Sequence, residues 1–167
     1  MNQVEGRAYD ILQKTTKRTG ACWETVLLWR DAEDLLSRSI IRQVEVHTFV
    51  DASQEAFSTV TYLRVETRNG NITTTLFGSK ARVAPLKKLT IPKLELQGCV
   101  LGTRFVVLLR SELRLPKVDR EVFWSDSKTV LAWISSEAGR YKEFVANRVG
   151  EIQEATKEMG SNKRKSC

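Results

Sequence analysis

The chain has 167 residues, 41% of them apolar, which is enough for one globular domain with a sizeable core plus extensions. Its formal net charge is +7, with a pI of about 9.5, which favours an anionic partner. Three cysteines (Cys22, Cys99, Cys167) without a CxxC pair argue against a disulfide scaffold or zinc site and for a reducing, intracellular setting, either cytoplasm or nucleus; no apolar run is long enough for a bilayer, and Met1 to Arg18 is too polar for a secretory signal.

Residues 1–43 read as an extension. Arg7 to Lys17 is expected as a short helix with Ala8, Ile11 and Leu12 on one side, stopped at Gly20. Trp23 to Trp29 suits a strand, and Asp31 to Ser39 is polar apart from Leu35 and Leu36. This stretch has too little apolar surface to fold alone. The main domain is expected over 44–160, with a basic tail, 161–167.

Three strands follow. Val44 to Val50 alternates apolar and polar residues. Phe57 to Glu66 offers Val60, Tyr62 and Leu63 as apolar contacts. Asn69-Gly70 is the strongest hairpin signal in the chain, and Ile72 to Ser79 completes an antiparallel meander. Residues 80–93 then read as a loop carrying Lys80, Arg82, Lys87, Lys88 and Lys93 with no acidic residue, bracketed by Pro85 and Pro92. A charge run is usually a solvated face. This one abuts Glu95, which favours contact with nucleic-acid phosphates.

Residues 92–113 form the best helix of the sequence. Pro92 suits its first turn, where the missing N–H costs nothing, and Glu95 is expected in that turn, near the positive end of the dipole. Glu95, Cys99, Gly102 and Val106 share one side, with Gly98 beside them, so small residues let the helix lie close on a sheet. Leu115-Pro116 ends it, and Glu121 to Trp124 is a fourth strand. A strand, a helical crossover and another strand make the new pairing parallel. Asp126 or Ser127 can cap a helix over 128–135. Glu137 to Arg140 is a turn, and Tyr141 to Met159 a last helix with Phe144, Val145, Val149 and Ile152 inward, ended by Gly160.

Asp51 follows the first strand and Asp126 the fourth. Parallel neighbours have their C-terminal ends on one edge, so topology brings the two together, and Glu95 arrives from the helix start. Three such carboxylates in a basic chain suit a divalent-metal phosphoryl-transfer site. The lone His47 reads as a strand-surface residue, Trp124 and Trp133 as core, and Cys99 as a small buried packing residue.

The blocks Thr48-Phe49-Val50-Asp51-Ala52-Ser53, Ser79 to Leu96, Trp124-Ser125-Asp126-Ser127 and Phe144-Val145-Ala146-Asn147-Arg148-Val149 resemble the RNase H-like region of BEL/Pao retrotransposon polyproteins, a region also catalogued as Pao retrotransposon peptidase. The resemblance runs from residue 46 to about 155. Residues 7–37 resemble the connector between protease and reverse transcriptase in those polyproteins. It implies an α/β fold with a mixed sheet, an antiparallel meander plus a parallel strand, flanked by helices. It also implies hydrolysis of the RNA strand of RNA–DNA hybrids with two magnesium ions, or manganese in their place. Asp51, Glu95 and Asp126 match the family's first three metal-binding carboxylates, Glu95 also orienting the attacking water. The family's fifth strand and fourth carboxylate have no counterpart here. The resemblance therefore implies a C-terminally truncated domain with impaired catalysis and an exposed sheet edge open to self-association. Two alternatives stand beside this: a non-catalytic nucleic-acid-binding remnant, and an aspartic peptidase, for which Asp51-Ala52-Ser53 is a poor copy of the required Asp-Thr/Ser-Gly loop.

Overall fold

The computed structural model describes residues 17–19, 22–24, 41–112 and 118–161. Its strands are β1 (Lys17–Thr19), β2 (Cys22–Glu24), β3 (Ile41–Ala52), β4 (Ala56–Thr67), β5 (Ile72–Val83) and β6 (Arg120–Trp124). Its helices are α1 (Ile91–Glu112), α2 (Lys128–Ile134) and α3 (Glu143–Ser161), with a single 3₁₀ turn at Ala138–Arg140. The helix expected from Arg7 and the polar stretch Asp31 to Ser39 lie outside the described residues, except that Lys17 opens a strand. Of the strand expected from Trp23, only the start is described, within β2.

Strands β3 to β6 form one mixed sheet in the order β5-β4-β3-β6. The meander is antiparallel, and β6 joins β3 in parallel, with Glu45 opposite Arg120 and Phe49 opposite Trp124. Gly70, at φ +81°, makes the β4–β5 turn, in a backbone region that side chains with a Cβ rarely occupy. Asp119 sets where β6 begins: its Oδ2 accepts from the Val44 N–H at 2.8 Å, and its own N–H donates to the Val44 carbonyl.

The sheet's two faces differ. Val44, Val46, Thr48 and Val50 of β3 face the helices, and pairing places Val65, Leu63, Thr61 and Thr59 of β4 beside them. With Phe77, Phe105, Val106 and Leu109, the residues Val44, Val46, Leu63 and Val65 build the first core cluster. The second joins Val50 to Leu96, Cys99 and Val100 of α1, Val130 of α2, and Val145, Val149 and Ile152 of α3. The small residues of α1 serve as the spacing suggests: a Cβ at Gly98 would stand 2.6 Å from Val50 Cγ1, and one at Gly102 3.1 Å from Thr59 Oγ1.

Several expectations need correction. Phe57, Leu63 and Val65 are the buried apolar positions of β4, with Thr59 and Thr61 buried between them, whereas Val60 and Tyr62 lie on the opposite face, because the register with β3 fixes the alternation. Lys80 and Arg82 are not in a loop: β5 runs on to Val83, since β4 is long enough to keep pairing, with Thr59 opposite Lys80 and Phe57 opposite Arg82. Trp124 is not core; it stands on the face away from the helices and is 48% exposed. Gly160 lies inside α3, whose helical backbone continues to Ser161. Ser127, rather than Asp126, caps α2, accepting from the Val130 N–H.

Candidate active site

Asp51 lies two residues beyond Phe49, and Asp126 two beyond Trp124, and Phe49 and Trp124 are partners in the parallel ladder. The two carboxylates therefore emerge at the same end of neighbouring strands. They line one open recess of about 500 Å³ together with Phe49, Ser58, Trp124 and Ser125. Both are exposed. Asp51 Oδ1 accepts from the Ala52 N–H at 2.7 Å, which holds one oxygen toward the backbone.

Glu95 reaches this edge from α1. It is the fifth residue of the helix, so it sits just past the first turn expected for it, where the dipole's pull on a carboxylate has weakened. The close seating of Gly98 brings this part of α1 over the strand end, with the Asp51 carbonyl 3.6 Å from where a Gly98 Cβ would be. The Glu95 side chain is held by Ser127, whose hydroxyl donates a short hydrogen bond to Glu95 Oε2. Ser127 is buried, and the same hydroxyl accepts from the first turn of α2. One serine thus fastens the third carboxylate to the helix that follows Asp126. Sequence reasoning identified Ser127 as a cap but not as this bridge; its position directly after Asp126 was the available signal.

One turn further along α1, Cys99 is buried. Burial pushes its thiol up to about 11, a hydrogen bond with Ser125 works in the opposite direction, and the negative charge of Glu95 adds to the rise. The thiol stays protonated at neutral pH and has no nucleophilic role there.

Asp51 and Asp126 share the recess, while Glu95 is turned to Ser127. Among the described residues, no three His, Cys, Asp or Glu side chains form a ready-made metal cage. The available donors are all carboxylate and hydroxyl oxygens, the type that magnesium takes. That chemistry fits a hard cation at the Asp51–Asp126 edge; Glu95 accepts from Ser127 through one oxygen, and a carboxylate held in this way can still ligate through the other.

The family model described as the Pao retrotransposon-like RNaseH-like domain matches residues 10–127. The chain belongs to this family. No curated protein matches it. The Pao match ends at Ser127, so the three carboxylates and the serine bridge fall inside it and α3 lies beyond. The mixed sheet, with one parallel pair and three helices, is that of an RNase H-like α/β domain.

The basic residues do not form one loop. Lys80 and Arg82 sit on β5, half-buried, and both take part in side-chain interactions. Lys87 and Lys88 are exposed between β5 and α1. Lys93, in the first turn of α1, has its ammonium 5.3 Å from the centre of the Phe144 ring, a cation–π contact that it shares with Arg148 at 3.6 Å. No helix among the described residues is long and apolar enough to cross a membrane.

Proposed function

We propose that this Pao-family domain acts on RNA–DNA hybrids as an RNase H-type nuclease of low intrinsic activity, with Asp51 and Asp126 as its principal metal ligands. The observation that carries this reading is the parallel register of β3 and β6, which delivers both aspartates to one recess. Magnesium, when bound, would supply positive charge to the reacting phosphate and acidify water. Asp51 and Asp126 would hold the cation. Glu95, held by Ser127 through one oxygen, would offer the other as a third carboxylate contact and orient the attacking water. Lys87 and Lys88 neutralise hybrid phosphates beside the start of α1, and Lys80, Arg82 and Lys93 add positive charge to that side.

Low activity is expected from the donor set: two exposed aspartates share the recess, and among the described residues no three carboxylates form a ready cage, so magnesium would keep most of its waters. The same observation favours a second reading, in which the domain binds nucleic acid without turnover. The test is cleavage of a labelled hybrid in magnesium, manganese or chelator by the wild type and Asp126→Asn. Slow, metal-dependent cleavage that vanishes in the variant is the expected result. Equal background rates in both proteins would leave binding alone.

A further inference from the structure

The face of the sheet turned away from the helices carries a row of rings that the carboxylate chemistry does not use. Phe49 is 45% exposed and Trp124 48%. Their planes are within 9° of each other, with centroids 5.9 Å apart. The Trp124 and His47 planes differ by 19°, at 6.2 Å. The indole Nε1–H donates to His47 Nδ1 at 3.1 Å. An N–H bond and an imidazole lone pair both lie in their ring planes, so this hydrogen bond sets the indole and imidazole side by side rather than one over the other. It also fixes the tautomer: Nδ1 is the acceptor, and Nε2 is left to carry the proton toward Glu45 Oε2, 3.4 Å away. Tyr62 meets Phe49 edge-on at 84° and borders the patch. The result is a cluster of rings locked against one another, with Phe49 and Trp124 each about half exposed.

We infer that the Phe49–Trp124 surface stacks an unpaired nucleobase of a single-stranded segment, next to the Asp51–Asp126 edge. The inference rests on the reading of that edge as a nucleic-acid site and names a second kind of contact there. Three observations favour a base over an apolar peptide. The rings and the two aspartates line the same recess, so a strand whose phosphate lies at the carboxylates has its neighbouring bases at the rings. The chain carries a net charge of +7, which suits a polyanion. Arg120, exposed four residues before Trp124 on the same face of β6, adds a cation to that face. Flat rings accept any base, because every base has a π-face, and a base already stacked inside a duplex or hybrid gains nothing from them.

The test is fluorescence anisotropy with a labelled oligothymidylate and an abasic strand of the same length, in chelator so that nothing is cut. The wild type should bind the base-bearing strand more tightly, by about 5- to 100-fold, the range of one or a few weak stacks. Phe49→Ala and Trp124→Ala should erase that difference, while Trp124→Phe, which keeps a ring, should retain most of it. Lys87→Ala with Lys88→Ala should weaken both strands alike and leave the ratio intact. Circular dichroism confirms that each variant is folded. Equal binding of the two strands by the wild type would overturn the inference. So would an unchanged ratio in both alanine variants, or a Phe49→Ala effect seen only as lost self-association in sedimentation. A protein that discriminates bases here yet never cleaves a hybrid would retain the stacking surface and lose the hydrolytic reading, so the two can fail separately.

Discussion

The two faces of the sheet are made by alternate residues of the same strands, and they do different things. On the helix side, Val44, Val46 and Val50 are buried under α1, which approaches so closely that Gly98 has no room for a methyl group and Gly102 only a tight one. On the other side, Glu45, His47 and Phe49 meet charged and aromatic neighbours. Arg64 binds Glu45 at 2.9 Å and approaches Glu66 at 3.6 Å, Arg42 binds Glu66 at 2.9 Å, and the rings stand half open. The helix side is packed as a protein interior is, where each methylene counts. The open side is held by a few directional contacts and leaves Asp51, Phe49 and Trp124 accessible. Packed interior and open surface are thus separated by the two-residue period of a strand, and Asp51 belongs to the open set that includes Phe49.

The sharpest way to break this comparison is to delete one ring from each face. Phe105→Ala empties a position that is 2% exposed and should cost about 3–5 kcal/mol. Phe49→Ala removes a ring that is nearly half solvated and should cost less than about 1.5 kcal/mol. Urea unfolding monitored by circular dichroism gives both numbers. Similar losses at the two sites would mean that the open face is core as well.

A smaller effect sharpens the helix side. The Cys99 thiol is raised from an ordinary value of 9.0 to about 11 by burial. Between those values the unfolded chain has lost the thiol proton and the folded chain has kept it. Unfolding therefore releases a proton, and stability falls as pH rises through this window, by up to about 1.4 kcal/mol per unit. Well below pH 9 both states keep the proton and the thiol contributes no slope. The check is to compare unfolding midpoints of the wild type and Cys99→Ala from pH 8.5 to 10.5. The variant should show the shallower decline, and parallel curves would mean that the thiol is solvated when folded.

Much of this arrangement was legible in the residues. The alternation of β3, the Asn69-Gly70 turn, the small residues of α1 and the crossover rule together specified the parallel pairing that unites Asp51 and Asp126. What escaped was set by tertiary register. Nothing local tells that Trp124 faces away from the helices, because an aromatic residue at a strand end suits either side. Lys80 and Arg82 read as loop because their charges mask a ladder that the length of β4 sustains. The Ser127–Glu95 bond joins residues far apart in sequence, and no pattern announces which hydroxyl a carboxylate will find. Among the described strands β6 ends the sheet on one side, and self-association through that edge is a proposal.

The central claim is that the two aspartates form one cation site. Manganese binding followed by electron paramagnetic resonance tests it without requiring catalysis. The wild type should bind manganese saturably and release it to excess magnesium. Asp51→Asn and Asp126→Asn should each weaken binding by about tenfold or more, since each removes one of two anionic ligands, while Glu151→Gln, which alters a distant surface pair with Arg104, should leave it unchanged. Equal affinity in the wild type and Asp126→Asn, or no binding by the wild type at all, would contradict the claim.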